Sequence, residues 1–370
     1  MNMFKIASQI SKKLKPICAV WELTLRCNSK CIHCGSDAGE GRFDELNNEE
    51  ALNLVRELKS CGYKGIALMG GEPLLRSDWF EIAQEIKNNK LELSIVTNGL
   101  KVQEDINKIK SLNTDCVSIS LDAGTEKVHD YLRGISGSFN KVIEALNILE
   151  DAAIPTSIIT SISKVNLKEL DKIKKIIIDR NIAWQIQVST PIGRFPRKLM
   201  IDRTEFYNLA MYIANTVKKY GYKRVPLIGA HCLGHFSRFI PNLGLSPWIG
   251  CQAGKTILGI QSNGNIKGCL TLPDSFIEGN VRKENLSIIL KRLRTNVYEP
   301  SGYCQKCDLL ESCMGGCLST ALALKEFKHP YCLRAIENEK ILTNFPLKGK
   351  ADTIFSKVKN YYEGLSKILN

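Results

Sequence analysis

The sequence holds fourteen cysteines, and ten of them fall into two sets whose spacing suits metal chemistry. Cys27, Cys31 and Cys34 follow a CxxxCxxC spacing near the N-terminus. Three thiolates can hold three irons of a cubane iron–sulfur cluster and leave the fourth iron open to a ligand. Zinc is the rival. A structural zinc site wants four protein ligands and is usually built from CxxC pairs. His33 would have to be the fourth, but it lies between Cys31 and Cys34, where simultaneous coordination is strained. The second set is Cys251, Cys269, Cys304, Cys307, Cys313, Cys317 and Cys332, and its CxxC–x5–CxxxC core suits either iron or a zinc ribbon. Cys18, Cys61, Cys116 and Cys232 are outliers. The first three lie in or beside strand and helix patterns and read as buried small apolar residues. In a chain with no export signal, such clustering argues for metal ligands over disulfides.

Regular elements must position the first set. Ile17–Leu25 reads as a buried strand and Glu49–Lys59 as an amphipathic helix behind Asn47 or Asn48. Gly65–Met69, Glu92–Val96, Cys116–Leu121, Thr156–Ile162 and Ala183–Val188 supply further strands. Helical patterns lie near Ser77–Lys87, Gln103–Ser111, Ser138–Asp151, Lys168–Asp179 and Thr204–Tyr220. Six β–α units in series predict a parallel sheet with helices outside it, curled by right-handed crossovers into a full or partial barrel. In such folds chemistry gathers where strands end. There the sequence places Cys27–Cys34, Gly70–Pro73, Thr97–Gly99, Asp122 and Pro191–Arg194. After Tyr220 the pattern changes. Val225–Pro247 reads as linker and loop, then short strands (Gly259–Gln261, Ile266–Cys269) precede the second cysteine set. Ala351–Leu369 is basic and amphipathic and predicts a tail helix.

No apolar run approaches the roughly 20 residues of a membrane-spanning helix. Met1–Lys15 lacks the apolar core of a signal peptide, so a cytoplasmic location is expected. The net charge of +13, from 51 basic and 38 acidic residues, is spread along the chain without an aromatic-interleaved block. Nucleic acid is therefore not expected as a partner.

The order of these motifs resembles the radical SAM family. Gly70, Gly71, Glu72 and Pro73 match its GGEP element. Thr97-Asn98-Gly99 and Ser118 to Asp122 resemble its later strand ends, and His129 to Gly134 its HxxxRG element. The resemblance implies a 4Fe–4S cluster on Cys27, Cys31 and Cys34 whose open iron is chelated by S-adenosylmethionine (SAM). An electron from the cluster then cleaves the sulfonium to a 5′-deoxyadenosyl radical. It also implies cofactor contacts from His33 near the adenine, from the Gly70–Pro73 backbone and Glu72 at the ammonium, from Asn98, Ser120 and Asp122 toward the ribose, and from Arg133 at the carboxylate. The second set resembles the seven-cysteine SPASM domain. By that resemblance Cys304, Cys307, Cys313 and Cys332 hold an outer auxiliary iron–sulfur cluster, and Cys251, Cys269 and Cys317 an inner one. The inner cluster is then one ligand short: an open iron, a non-cysteine ligand or Cys232, which lies near His231 and His235, would complete it. Cys232 could alternatively donate a hydrogen atom to a substrate radical.

The expected architecture is thus α/β, a partial (β/α)6 radical SAM barrel followed by a small cysteine-rich SPASM domain. Residues 1–16 form a lead-in, 17–224 the radical SAM core, 225–340 the linker and auxiliary-cluster domain, and 341–370 the tail helix. The family implies oxidative modification of a ribosomally made peptide, cross-linking or related C–H functionalisation, with an electron donor such as flavodoxin or ferredoxin. The barrel starts near Ile17, so a separate leader-binding protein or a direct groove would recognise a leader. The alternatives are maturation of a small cofactor such as a haem precursor, a sulfatase-maturase-like or epimerase activity, and a non-catalytic iron–sulfur electron carrier.

Overall fold

The computed structural model describes residues 17–230, 233, 237–244, 248, 250–293, 302–324 and 331–342. The expected lead-in at 1–16, the tail helix at 351–369, Cys232, His231 and His235 lie outside the described residues.

Seven strands run parallel in chain order: β1 (Cys18–Thr24), β2 (Gly65–Gly70), β3 (Glu92–Thr97), β4 (Cys116–Ser120), β5 (Thr156–Ile162), β6 (Ala183–Val188) and β7 (Leu227–Gly229). The helices between them are α1 (Asn48–Ser60), α2 (Trp79–Asn88), α3 (Val102–Ser111), α4 (Glu126–Arg133), α5 (Ser138–Asp151), α6 (Leu170–Ile177) and α7 (Arg203–Arg224). Asn47 opens α1 with a capping box, its side chain taking the Glu50 N–H while Glu50 takes the Asn47 N–H. Two elements differ from expectation. β7 lies in the stretch expected to be linker, because three residues are too few to show a period. α4 was not expected as a helix: its buried residues are His129 and Leu132, and a buried histidine does not read as apolar patterning.

The C-terminal region joins the same sheet. β8 (Ile257–Ile260) pairs parallel with β1 on the side away from β2, with Cys18 opposite Ile257. β9 (Asn265–Lys267) and β10 (Gly279–Asn280) then extend it antiparallel. Arg282 fastens this edge to the barrel through paired contacts with Glu50 at 2.6 and 2.7 Å and the carbonyls of Asp44 and Glu45.

Strand alternation gives the sheet two unlike faces. Leu93, Ile95, Val117, Ile119, Ile158, Trp184 and Ile186 are fully buried against helix residues such as Ile82, Leu146 and Ile173. The opposite face of β3 to β6 carries the exposed Glu92 and, partly exposed, Ser94, Val96, Cys116, Ser118, Ser120, Ser157, Ile159, Ser161, Ala183, Gln185 and Gln187. Its hydroxyls and amides bond across strands: Ser118 Oγ to Ser157 Oγ at 2.7 Å, and Gln187 Nε2 to Ser161 Oγ at 2.8 Å. Cys116 lies on this polar face, 3.7 Å from Ser157 Oγ, so it is not the buried apolar residue expected. Cys18 and Cys61 are also only half-buried.

Candidate functional site

The loop leaving β1 carries the first cysteine set and is held from several sides. Cys27 N–H donates to the Gly39 carbonyl at 2.9 Å, closing the loop on itself. Lys30 and Ile32 N–H donate to the carbonyls of Arg133 and Leu132 at 3.1 and 3.0 Å, seating it on the end of α4. That contact explains Gly134: it ends α4 at φ 68°, and a Cβ there would stand 2.5 Å from the Lys30 carbonyl oxygen.

The three sulfurs receive donors. Ser29 N–H points at Cys27 Sγ (3.4 Å), Ala38 N–H at Cys34 Sγ (3.3 Å), and Arg133 Nη1 at Cys31 Sγ (3.5 Å). Such donors suit metal-bound thiolates. Burial, with neighbouring Glu72, Cys31 and Cys34 adding to it, pushes the Cys27 thiol up to about 11. Ionising Cys27 near neutrality therefore needs a cationic centre, which a cluster supplies. Among the described residues no three His, Cys, Asp or Glu side chains converge on a single ion. A cubane makes no such demand, since each cysteine binds a different iron.

The end of β2 presses against the end of β1. Gly71 and Glu72 N–H donate to the carbonyls of Thr24 and Arg26, both at 2.8 Å. A Cβ on Gly70 would lie 2.3 Å from the Thr24 oxygen, and one on Gly71 2.2 Å from the Arg26 oxygen. The glycines are thus required by this backbone approach itself. Glu72 is fully buried and accepts from Leu74 N–H (3.2 Å), Thr97 Oγ1 (2.8 Å) and Asn98 N–H (2.7 Å). It brackets the ends of β2 and β3, with Pro73 opening a short 3-10 turn beside it. Asn98 in turn reaches the cluster loop, donating to Asn28 Oδ1 at 2.7 Å and Ser29 Oγ at 3.2 Å.

At the end of β4, Asp122 has no solvent exposure. Its Oδ1 accepts from Ser161 N–H at 2.8 Å, and its Oδ2 lies 2.8 Å from Arg133 Nε and 3.1 Å from His33 Nε2. The contact with Arg133 is an ion pair without the alignment of a hydrogen bond. Burial alone would raise the Asp122 pKa, but the Arg133 and His33 charges overcome it and hold the carboxyl well below the usual carboxylate range. His129 Nδ1 accepts the Asp122 N–H at 3.3 Å, and His129 Nε2 and His33 Nδ1 are buried without a partner among the described residues. Asp122 thus brackets His33 and Arg133. Ser120 sits half-buried on the polar face of the sheet.

Sequence reasoning placed Thr97 and His129 within motifs without a role of their own and passed over Ser161. A polar residue closing an apolar strand was the available signal for Thr97.

Two buried groups make opposite predictions about pH. Burial pushes Glu72 up to about 7, against the hydrogen bonds from Asn98, Thr97 and Leu74. Burial, then the Arg133 charge, pushes His129 down to about 4. Between the ordinary Glu value of 4.5 and about 7, the unfolded chain holds fewer protons at residue 72, so stability falls as pH rises. Between about 4 and the ordinary His value of 6.5, the unfolded chain holds more protons at residue 129, so stability rises. From about pH 5 to about pH 6.5 the two nearly cancel, each worth about 2 kcal/mol over that window. Urea unfolding of the cluster-free protein should show Glu72→Gln gaining stability with rising pH over that window and His129→Gln losing it.

Several of the C-terminal cysteine thiols are pushed up by burial and by one another. Cys313 is pushed up to about 12 by burial and by Cys332, Cys304 and Cys307, and Cys332 to about 11 by burial and by Cys304 and Cys307. Cys317 is pushed up to about 11 by burial and by Cys251 and Cys269. Three further helices carry or flank them: α8 (Leu286–Arg292), α9 (Leu310–Cys313) and α10 (Leu318–Leu324); α11 (Leu333–Leu342) follows Cys332.

A sequence profile of the Radical SAM superfamily matches residues 21–177, from within β1 to the end of α6. Those residues form a radical SAM domain. Such a domain brings a 4Fe–4S cluster and SAM as cofactors and an enzymatic role. The chain is 28% identical over 346 residues to the AdoMet-dependent heme synthase of Methanosarcina barkeri, spanning 86% of this chain and 96% of that protein. It is 26% identical over 324 residues to the mycofactocin maturase MftC of Mycobacterium tuberculosis, spanning 82% of this chain and 78% of that one. The crystal structure of Streptococcus suis SuiB bound to S-adenosylmethionine has a similar fold, with a TM-score of 0.69 at 19% identity over 89% of this chain and 80% of SuiB. No helix among the described residues is long and apolar enough to cross a membrane.

Proposed function

We propose that this chain cleaves SAM at a cluster held by Cys27, Cys31 and Cys34 and uses the resulting radical to oxidise a ribosomally made peptide, by cross-linking or related C–H functionalisation. When bound, the cofactors supply the 5′-deoxyadenosyl radical that removes a hydrogen atom, and an auxiliary cluster to accept the second electron as the substrate releases a proton. The chain's own residues position and shield. Asp122 holds His33 and Arg133, Glu72 joins the ends of β2 and β3, and Asn98 steadies Asn28 and Ser29 beside Cys27. Cys304, Cys307, Cys313 and Cys332 would hold the outer auxiliary cluster, and Cys251, Cys269 and Cys317 the inner one.

The observation that carries the peptide reading is the polar face of the sheet. From β3 to β6 it offers hydroxyls and amides, with Glu92 at the start of β3 as its charged side chain and no cation, which suits the neutral donors and acceptors of a peptide backbone. A maturase reaction is also consistent with the likeness to MftC. Haem-precursor maturation is the second reading, favoured by the relative that matches most of both chains. A tetrapyrrole bearing several carboxylates would call for cations that this face does not supply. The reading includes a cytoplasmic reaction, a donor such as flavodoxin or ferredoxin, and leader recognition by a separate protein or a direct groove.

The test uses anaerobically reconstituted protein with SAM and dithionite. Peptides encoded beside the gene and an iron porphyrin precursor are offered separately, and 5′-deoxyadenosine and substrate mass are followed. The expected result is a peptide lighter by the mass of two hydrogens, with deoxyadenosine raised above the substrate-free rate. Conversion of the porphyrin with the peptides untouched would reject the peptide reading.

A further inference from the structure

The turn after β6, Pro191 to Phe195, crosses the mouth of the barrel and seats on the cluster loop. Arg194 makes four contacts there. Its backbone N–H donates to the Cys34 carbonyl at 3.0 Å. Its Nε donates to the Cys31 carbonyl at 3.2 Å, and its Nη1 to the Ala38 carbonyl at 2.6 Å and to Asp37 Oδ1 at 3.1 Å. Gly193 lets the chain come this close: its φ is +60°, and a Cβ would stand 2.3 Å from the Cys34 oxygen and 2.6 Å from the Gly35 oxygen. The held carbonyls belong to the groups that orient sulfur. Ala38 N–H points at Cys34 Sγ (3.3 Å), and Cys31 Sγ faces Arg133 (3.5 Å).

We propose that Arg194 is a positioning residue for the cluster: it fixes the Cys31–Ala38 backbone so that the three thiols are arranged before iron arrives. The guanidinium fork spans carbonyls on both sides of Cys34, which a single ammonium group cannot do. The inference rests on the proposal that Cys27, Cys31 and Cys34 hold the SAM cluster. Groups that support metal ligands from outside typically carry a tenfold to hundredfold effect on affinity.

The test compares the reconstituted full chain with Arg194→Gln and Arg194→Lys. Arg203→Gln serves as control, since Arg203 is an exposed residue of α7 paired with Glu339 at 2.8 Å. Two readouts are taken: the rate of iron loss to a ferrous chelator, and the part of the reduced-cluster electron paramagnetic resonance signal that shifts on adding SAM. Arg194→Gln should release the SAM-responsive cluster on the order of tenfold faster and lose most of that shift, with Arg194→Lys in between. Circular dichroism should stay that of the parent. Release and spectra matching Arg203→Gln would overturn the inference. So would loss of the folded circular dichroism in both Arg194 variants, which would make the residue a general stability element. A parent protein with no SAM-responsive signal would remove the functional reading itself, a separate outcome.

Discussion

Alanine in place of Cys27, Cys31 or Cys34 is expected to lower 5′-deoxyadenosine formation by at least about a thousandfold, equivalent to about 4 kcal/mol of barrier. Two remaining thiolates leave two irons of a cubane without protein ligands, so the effect is loss of the cluster, not mistuning. The three variants should agree in activity yet differ in side effects. Cys31→Ala also takes the sulfur partner from Arg133 Nη1, while Cys27→Ala frees only the backbone N–H of Ser29. Cys31→Ala should therefore be the least stable of the three. Each should lose about four of about twelve irons after reconstitution. Alanine at Cys304, Cys307, Cys313 or Cys332 should show the reverse pattern, with SAM cleavage retained within about tenfold and modified substrate lost. Iron analysis and product quantification on the same samples check both sets. Deoxyadenosine formation surviving in Cys31→Ala but not in Cys313→Ala would reverse the assignment of the two cysteine sets.

The residues that make chemistry were more legible than those that hold them. Cys27, Cys31, Cys34 and the Gly70–Pro73 turn announce themselves by type, spacing and place after a strand. The apolar runs of β1 to β6 fix the parallel sheet because each is bounded by turn residues and followed by a helical period. α4 was hidden because it buries His129, whose ring lies under Asp122 with one nitrogen taken by a backbone N–H. β7 was hidden by its brevity, and the pairing of β8 with β1 by distance, since Cys18 and Ile257 lie far apart in the sequence. Glu72 and Asp122 were found in sequence as ligand-facing groups. In the structure both also hold protein donors, contacts that local pattern does not carry, because the partners Thr97, Ser161 and Arg133 come from other strands and helices. Arg194 was noted only by its position after β6. Its targets are backbone carbonyls, which no side-chain pattern reveals.

Asp122→Ala is expected to cost about 3–5 kcal/mol of stability, the usual penalty for removing one partner of a buried ion pair. The variant leaves the Arg133 guanidinium, whose side chain is only 11% exposed, without its carboxylate, and Ser161 N–H without an acceptor. The melting temperature of the cluster-free protein should fall by on the order of 10 °C. Asp122→Asn should lie between, since its carbonyl can keep the Ser161 bond while the charge is lost. The sign with pH is fixed by the depressed folded pKa. The stabilisation is fully present above the ordinary carboxylate pKa of 3.8 and fades as pH falls through the folded value, so the gap between parent and Asp122→Asn should be constant from about pH 6 to about pH 8. Stability and function then separate in the double variant. Replacing both charges with apolar residues, Asp122→Leu with Arg133→Met, removes the stranded charge and should recover part of the lost melting temperature. It should not restore SAM cleavage, because neither His33 nor a guanidinium would then be held beside Cys31. Recovery of both would make the pair a device of stability alone. Recovery of the first without the second identifies Asp122 as the residue through which β4 positions the cofactor's surroundings.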